Sequence, residues 1–166
     1  MLIAHYIGEH QGDPLLTRLG WYVTRKTQKG PYGRVTHTEA IHELHADGSV
    51  TIASSSLRDK GVRPKVAFLN PEHWLIADVP SWDVALSHAH LLATQGQPYD
   101  WRGAWATRMP GVENPDQWFC NEWVAFPYLQ ASATFGPHHL AAITFSIGRD
   151  VTVDFFGERA VAPLRA

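Results

Sequence analysis

Val35-Thr36-His37-Thr38-Glu39-Ala40-Ile41-His42-Glu43-Leu44 is followed at once by Ala46-Asp47-Gly48-Ser49 and then by Val50-Thr51-Ile52-Ala53-Ser54. The first run reads as a strand, the second as a hairpin turn and the third as the returning strand. Side chains two positions apart in a strand share a face, so Val35, His37, Glu39 and Ile41 look the same way. This antiparallel pair sets the fold class, because further strand-like runs flank it. Leu2 to Ile7 reads as a first strand, Gly61 to Phe68 as another and Trp74 to Asp78 as a further one.

Helical patterns fill the gaps. Leu15, Leu16, Leu19 and Tyr22 recur at helical spacing after Asp13-Pro14. Gly30-Pro31-Tyr32-Gly33 reads as a turn or a mobile loop. Ser81 is a candidate N-cap for a helix that runs to Thr94 and stops at Gln95-Gly96. Asp100 can cap a short helix carrying Trp101 and Trp105. Pro110 to Pro115 reads as a loop. A further helix is expected to start near Asn114 or Asp116 and to run through Cys120 until Pro127 disturbs it. Beyond Thr134, Ile143 to Ile147 and Val151 to Phe156 read as two more strands. The predicted class is α+β, a mainly antiparallel sheet packed on helices. No repeat or long linker divides the chain, so residues 1–166 read as a single domain. That length is enough to bury roughly 70% of the unfolded surface in one core.

Composition excludes several functions. A net charge of −2 gives no electrostatic reason to expect nucleic acid or an anionic membrane. One Cys rules out an internal disulfide and a Cys-rich zinc site, and fits a reducing compartment. The apolar stretch Met1 to Gly8 is too short for a signal peptide, and no segment approaches the roughly 20 apolar residues that span a bilayer. The expectation is a chain without a transmembrane segment, cytoplasmic at synthesis. A component packaged into a larger particle would look the same.

The single Cys lies in Trp118-Phe119-Cys120-Asn121-Glu122-Trp123-Val124. The thiolate is the reactive form of cysteine, with an ordinary pKa of about 8.5 that falls beside an imidazolium or a helix N-terminus. The same helix end offers backbone N–H groups to the oxyanion of a tetrahedral intermediate. Cys120 as nucleophile and His37 as base therefore make chemical sense together. Glu39 could orient His37, although a separation of roughly 6–7 Å along the strand is long for a direct bond. Ser54 or Ser55 on the neighbouring strand is the alternative. Each residue also has a plain reading. A Cys between Phe119 and Trp123 is most often an inert core residue, and His37 and Glu39 are ordinary strand residues. His37, Glu39, His42 and His45 fall close together, but the alternation of a strand sends His42 to the other face, which is poor ligand geometry. No metal site is expected.

Gly12-Asp13-Pro14-Leu15-Leu16-Thr17-Arg18-Leu19, Thr36-His37-Thr38-Glu39, Gly61-Val62-Arg63, Pro98-Tyr99-Asp100-Trp101 and Trp118-Phe119-Cys120-Asn121-Glu122 occur in this order. The ordered set resembles the circularly permuted NlpC-type branch of papain-like thiol hydrolases. That branch includes YiiX-like bacterial proteins and the lecithin retinol acyltransferase group, and small members are familiar from tailed phages. The resemblance covers roughly residues 1 to 130. It implies a permuted papain-like core in which the His-bearing strands precede the Cys-bearing helix. It makes Cys120 the nucleophile and His37 the base. Some members carry a Glu on the strand after the His strand; here Ser54 and Ser55 stand in that region, so Glu39 is the third candidate. Tyr99 and Trp118 are the candidate substrate-binding residues, with Tyr99 either lining the site or packing in the core.

The implied activity is hydrolysis or transfer at an amide or ester, with peptidoglycan peptides or acyl lipids as substrates and no cofactor. The alternative is a binding or structural component of a phage particle, such as a tail-tip subunit in contact with other virion tail subunits. Such a protein would keep the fold without turnover and would be virion-associated.

Overall fold

The computed structural model describes residues 1–7, 28, 30–106, 114, 116–129 and 136–157. The helix expected over Leu15 to Val23 and most of the Pro110 to Pro115 loop lie outside the described residues. The strands are β1 (Leu2–Tyr6), β2 (His37–Leu44), β3 (Val50–Ser56), β4 (Gly61–Ala67), β5 (Trp74–Asp78) and β6 (Arg149–Asp150). The helices are α1 (Val84–Thr94), α2 (Trp101–Ala106), α3 (Cys120–Leu129), α4 (Pro137–Ile147) and α5 (Thr152–Phe156). The class is α+β: one six-stranded sheet in the order β4-β3-β2-β1-β5-β6, with every strand pairing antiparallel.

Alternation along the strands puts core residues on both faces of the sheet. On one face Ile3, Ala40, Ala53, Val62 and Ala77 meet Leu91 of α1, Trp123, Val124 and Ala125 of α3, and Leu140 of α4. Three of those sheet positions are Ala, which lets helix side chains as large as Trp123 sit directly on the strands. The next residues along, Ala4, Ile41, Ile52 and Ile76, point to the other face and pack with Val151 and Phe156 at the C-terminal end. With both faces covered, β2 is buried from His37 to Ile41 whatever the residue type. That is how an imidazole and a carboxylate come to lie in the interior.

The pairing of β2 is lopsided. Toward β1 it continues to Tyr6↔His37. Toward β3 it ends at Ala40↔Ala53. Beyond that point the hydroxyls of β3 turn to another part of the chain: Ser55 Oγ donates to the Trp118 carbonyl at 2.6 Å, and Ser54 Oγ lies 3.5 Å from the Cys120 carbonyl. The start of α3 is thus held where the β2–β3 ladder stops.

Three local expectations are corrected. Asp83, not Ser81, caps α1, its Oδ1 accepting the Ala85 amide at 2.8 Å. Ile143 to Ile147 is the end of helix α4, not a strand, because Leu140, Ala141 and Thr144 form one buried helical face. Val151 to Phe156 is not a strand either. Asp150 accepts both the amide and the hydroxyl of Thr152, at 2.9 and 2.6 Å, and that local bonding starts the short helix α5.

Candidate active site

Helix α3 begins at Cys120 itself, rather than near Asn114 or Asp116. The preceding backbone is already engaged elsewhere. The Trp118 amide donates to Pro98 at 3.2 Å, and the Trp118 carbonyl accepts from Asp100 at 2.9 Å, so residue 118 is laced to the 98–100 segment and cannot be helical. Phe119 then takes the cap position, its carbonyl accepting the Trp123 amide at 3.0 Å. Glu122 Oε2 reaches back to within 3.5 Å of the Phe119 amide. Cys120 therefore occupies the first helical position, where backbone N–H groups lack partners within the helix and the dipole is positive.

The 98–100 segment is fixed in turn by β4. Gly61 bridges Pro98 and Tyr99 bridges Trp118. The Tyr99 amide donates to Lys60 at 3.3 Å. The Asp100 carboxylate accepts the Gly103 amide at 2.7 Å and caps α2, as its position before Trp101 suggests. The backbone thus runs from β4 through Tyr99 and Trp118 to Cys120 without a gap in hydrogen bonding.

His37 stands between both candidate partners. Cys120 is near enough to act electrostatically on its ring, and its Nε2 lies 2.8 Å from Glu39 Oε1. A direct His37–Glu39 bond is shorter than strand spacing suggests, because both side chains are long and lean toward each other from the same face. Ser54 and Ser55, the alternatives to Glu39, aim their hydroxyls at backbone carbonyls. Cys120 also has Asn121 Oδ1 at 3.6 Å.

Burial and charge oppose each other here. Burial disfavours an imidazolium at His37, but Cys120 and Glu39 outweigh it and push the group up to about 9. Burial likewise disfavours the Glu39 carboxylate. His37 and Arg63 outweigh it and hold the group well below the usual carboxylate range. Glu39 is 1% exposed and accepts from both sides.

Arg63 closes the motif Gly61-Val62-Arg63, but the sequence assigns it no role at the site. It sits on the edge strand β4, and its guanidinium grips Glu39 with Nη1 to Oε2 at 3.0 Å and Nη2 to Oε1 at 2.9 Å. What brings it to the site is the pairing of the third strand with the fourth, which places Arg63 opposite Ser54, and that register is not readable without the structure.

The two substrate-binding candidates differ. Half-buried Tyr99 lies in the field of Cys120; burial, then Cys120 and Asp100, raise its phenol well above the ordinary value, so it stays protonated and can donate. Trp118 enters through its backbone, while its ring packs edge-on against His90 at 5.0 Å and against Phe126 at 4.9 Å. Its indole N–H donates to Gln97. The other histidines of the β2 region are dispersed: His42 bonds Ser87 at 2.9 Å and His45 bonds Thr51 at 2.8 Å. Among the described residues no group of His, Cys, Asp or Glu is arranged to hold a metal ion, and no helix is long and apolar enough to cross a membrane. Set against protein-family profiles, curated proteins and solved structures, the chain matches none.

Proposed function

We propose that this chain is a cysteine hydrolase or acyltransferase with a permuted papain-like arrangement, acting on an amide or ester bond. The observation that carries the reading is the His37–Glu39 hydrogen bond at 2.8 Å beside Cys120, which acts electrostatically on His37 and stands at the first position of α3. In the reaction the proton of the pair rests on His37 and leaves the sulfur as the attacking thiolate, and Glu39 balances the imidazolium without accepting that proton itself. The sulfur attacks the substrate carbonyl, and first-turn N–H groups of α3 stabilise the oxyanion. Tyr99, whose phenol interacts electrostatically with Cys120, serves as a further donor to substrate. Collapse of the intermediate expels the amine or alcohol, which takes the proton from His37, and leaves a thioester on Cys120. Water or an acceptor amine, deprotonated by His37, then releases the acyl group and restores the thiol. Peptidoglycan peptides and acyl lipids are the substrate classes, with no cofactor required.

The test is covalent trapping. Incubation with activated acyl esters and with peptidoglycan fragments, followed by intact mass measurement, is expected to show one acyl group on Cys120. His37→Ala should abolish it. A wild-type thiol that reacts no faster than one in the unfolded chain would overturn the reading.

A second reading is favoured by one observation: Cys120 is only 5% exposed and His37 only 8%. A thiol closed off in this way also suits a particle component, such as a phage tail-tip subunit, that keeps the fold without turnover. Inertness of the folded thiol toward small alkylating agents would select this second reading.

A further inference from the structure

We propose that Arg63 is a positioning residue of the site, holding the Glu39 carboxylate in the orientation in which it accepts from His37. The proposal rests on the reading of Cys120 and His37 as a reactive pair. Nothing in the mechanism above uses Arg63, yet its geometry is built around Glu39 and not around strand pairing alone. All three of its nitrogens are engaged. Nη1 donates to Glu39 Oε2 at 3.0 Å and to the Ser54 carbonyl at 3.3 Å. Nη2 donates to Glu39 Oε1 at 2.9 Å. Nε donates to Asp59 in the turn between β3 and β4.

The two-point grip matters because of what shares it. Glu39 Oε1 accepts from both Arg63 Nη2 and His37 Nε2. A glutamate side chain has several rotatable bonds, and one hydrogen bond to His37 would leave its carboxylate free to turn. A planar fork bound to both oxygens fixes the plane and the position together. The grip also pairs a carboxylate that is almost wholly buried, which would otherwise rely on His37 alone. Lys65 Nζ, at 3.9 Å from Glu39 Oε1, is more exposed and contacts Asp59 at 3.6 Å, so it is a poor substitute. The result is a row of alternating charge running from Glu39 through Arg63 and Asp59 to Lys65 at the surface. The side chain of Arg63 spans β4, β3 and β2 to reach the site.

The experiment is the rate of Cys120 alkylation by iodoacetamide in the folded full chain, near neutral pH, where a supported imidazolium speeds the reaction. Arg63→Met is expected to slow it about tenfold, and Arg63→Lys to recover part of the loss because the charge returns without the fork. Glu39→Gln is expected to slow it similarly. In the Glu39→Gln background, Arg63→Met should add less than about a twofold further loss, because Arg63 acts through Glu39. Lys65→Met should leave the rate within about twofold of wild type. If Arg63→Met does not fold, Asp59→Ala takes its place: it frees Arg63 Nε, and Lys65 with it, while leaving both Nη contacts on Glu39, and should slow the reaction about threefold. An unchanged or faster rate in the variant used, or equal losses from Arg63→Met with and without Glu39, would overturn the proposal. A wild-type thiol that is inert before any substitution would instead overturn the function on which the proposal rests.

Discussion

Gly61 and Gln97 meet backbone to backbone. The Val62 amide donates to the Gln97 carbonyl at 2.9 Å, and the Gly96 amide donates to the Val62 carbonyl at 3.0 Å. A Cβ on Gly61 would run into the Gln97 carbonyl oxygen, and its φ of +150° is one that side-chain-bearing residues rarely adopt. This contact is the first link of the backbone path through Tyr99 and Trp118 to Cys120. Gly61→Ala is therefore expected to cost more than about 2 kcal/mol of stability, from backbone strain and displacement combined. Urea unfolding measures it. A midpoint within error of wild type would show that the 97–99 segment can move aside freely.

The neighbouring residue invites the opposite substitution. Lys60 has a φ of +66°, the one positive value among the described non-glycine residues. A left-handed residue with a Cβ costs about 1–2 kcal/mol, of which glycine's greater unfolded freedom takes back about 0.5–1. Lys60→Gly should leave the turn hydrogen bond to Leu57 in place and raise stability by about 0.5–1 kcal/mol. A lowered urea midpoint would mean that the Lys60 side chain contributes more than its backbone costs.

The sequence is legible where local chemistry decides and mute where register decides. Asp47-Gly48 marks the β2–β3 turn, Gln95-Gly96 marks the end of α1, and Asp100 marks the start of α2; each rests on interactions within a few residues. The pairing of Cys120 with His37 was visible only as residue types in a suggestive order. The Arg63–Glu39 grip was invisible, because it needs the alignment of three strands at once. The C-terminal segment misled for a different reason. Ile143, Thr144 and Phe145 favour strands locally, but Leu140, Ala141 and Thr144 bury a helical face, and tertiary packing overrides propensity.

His37 predicts an alkaline titration. It holds a proton in the fold up to about 9, against 6.5 for an ordinary imidazole, because Cys120 and Glu39 outweigh burial. A raised value means that its stabilising contribution is complete below 6.5 and lost as the pH climbs toward about 9. For Glu39 the value is lowered, so its contribution is present above 4.5 and lost on acidification below that. NMR titration of the His37 ring should find it still protonated well above neutrality, and Glu39→Gln should lower its midpoint by about one unit or more. A midpoint at the ordinary value in wild type would deny the ion pair.

His5 predicts the acid side. It is fully buried, with Nδ1 3.2 Å from Thr38 Oγ1, Nε2 2.8 Å from Thr144 Oγ1 and its ring 5.4 Å from that of Phe145. Burial pushes its pKa down to about 3. Neutral in the fold and charged when unfolded, it contributes fully above 6.5 and loses that contribution as the pH falls toward about 3. The slope is about 1.4 kcal/mol per pH unit for one such group. His42 and His90, each pushed down to about 4, add in the same direction. His5→Gln lacks the titrating proton, so its stability should fall less steeply below 6.5 than that of wild type, whatever its absolute value. Parallel curves for the two proteins would show that His5 is already charged in the fold.

Glu39 and the two serines of β3 can be separated by one comparison. Ser55 Oγ donates to the Trp118 carbonyl at 2.6 Å, and that carbonyl also accepts from Asp100, so Ser55→Ala removes a hydrogen bond without orphaning an acceptor. The expected cost is about 1 kcal/mol in stability. Ser54, 3.5 Å from the Cys120 carbonyl, should cost less. Both hydroxyls are directed at backbone carbonyls, whereas Glu39 Oε1 bonds the His37 ring at 2.8 Å. Alkylation of Cys120 should therefore stay within about threefold of wild type in Ser54→Ala and Ser55→Ala, and slow about tenfold in Glu39→Gln. The reverse pattern, with a serine variant slow and Glu39→Gln fast, would move the orienting role from β2 to β3 and leave the buried His37–Glu39–Arg63 row a purely structural tie.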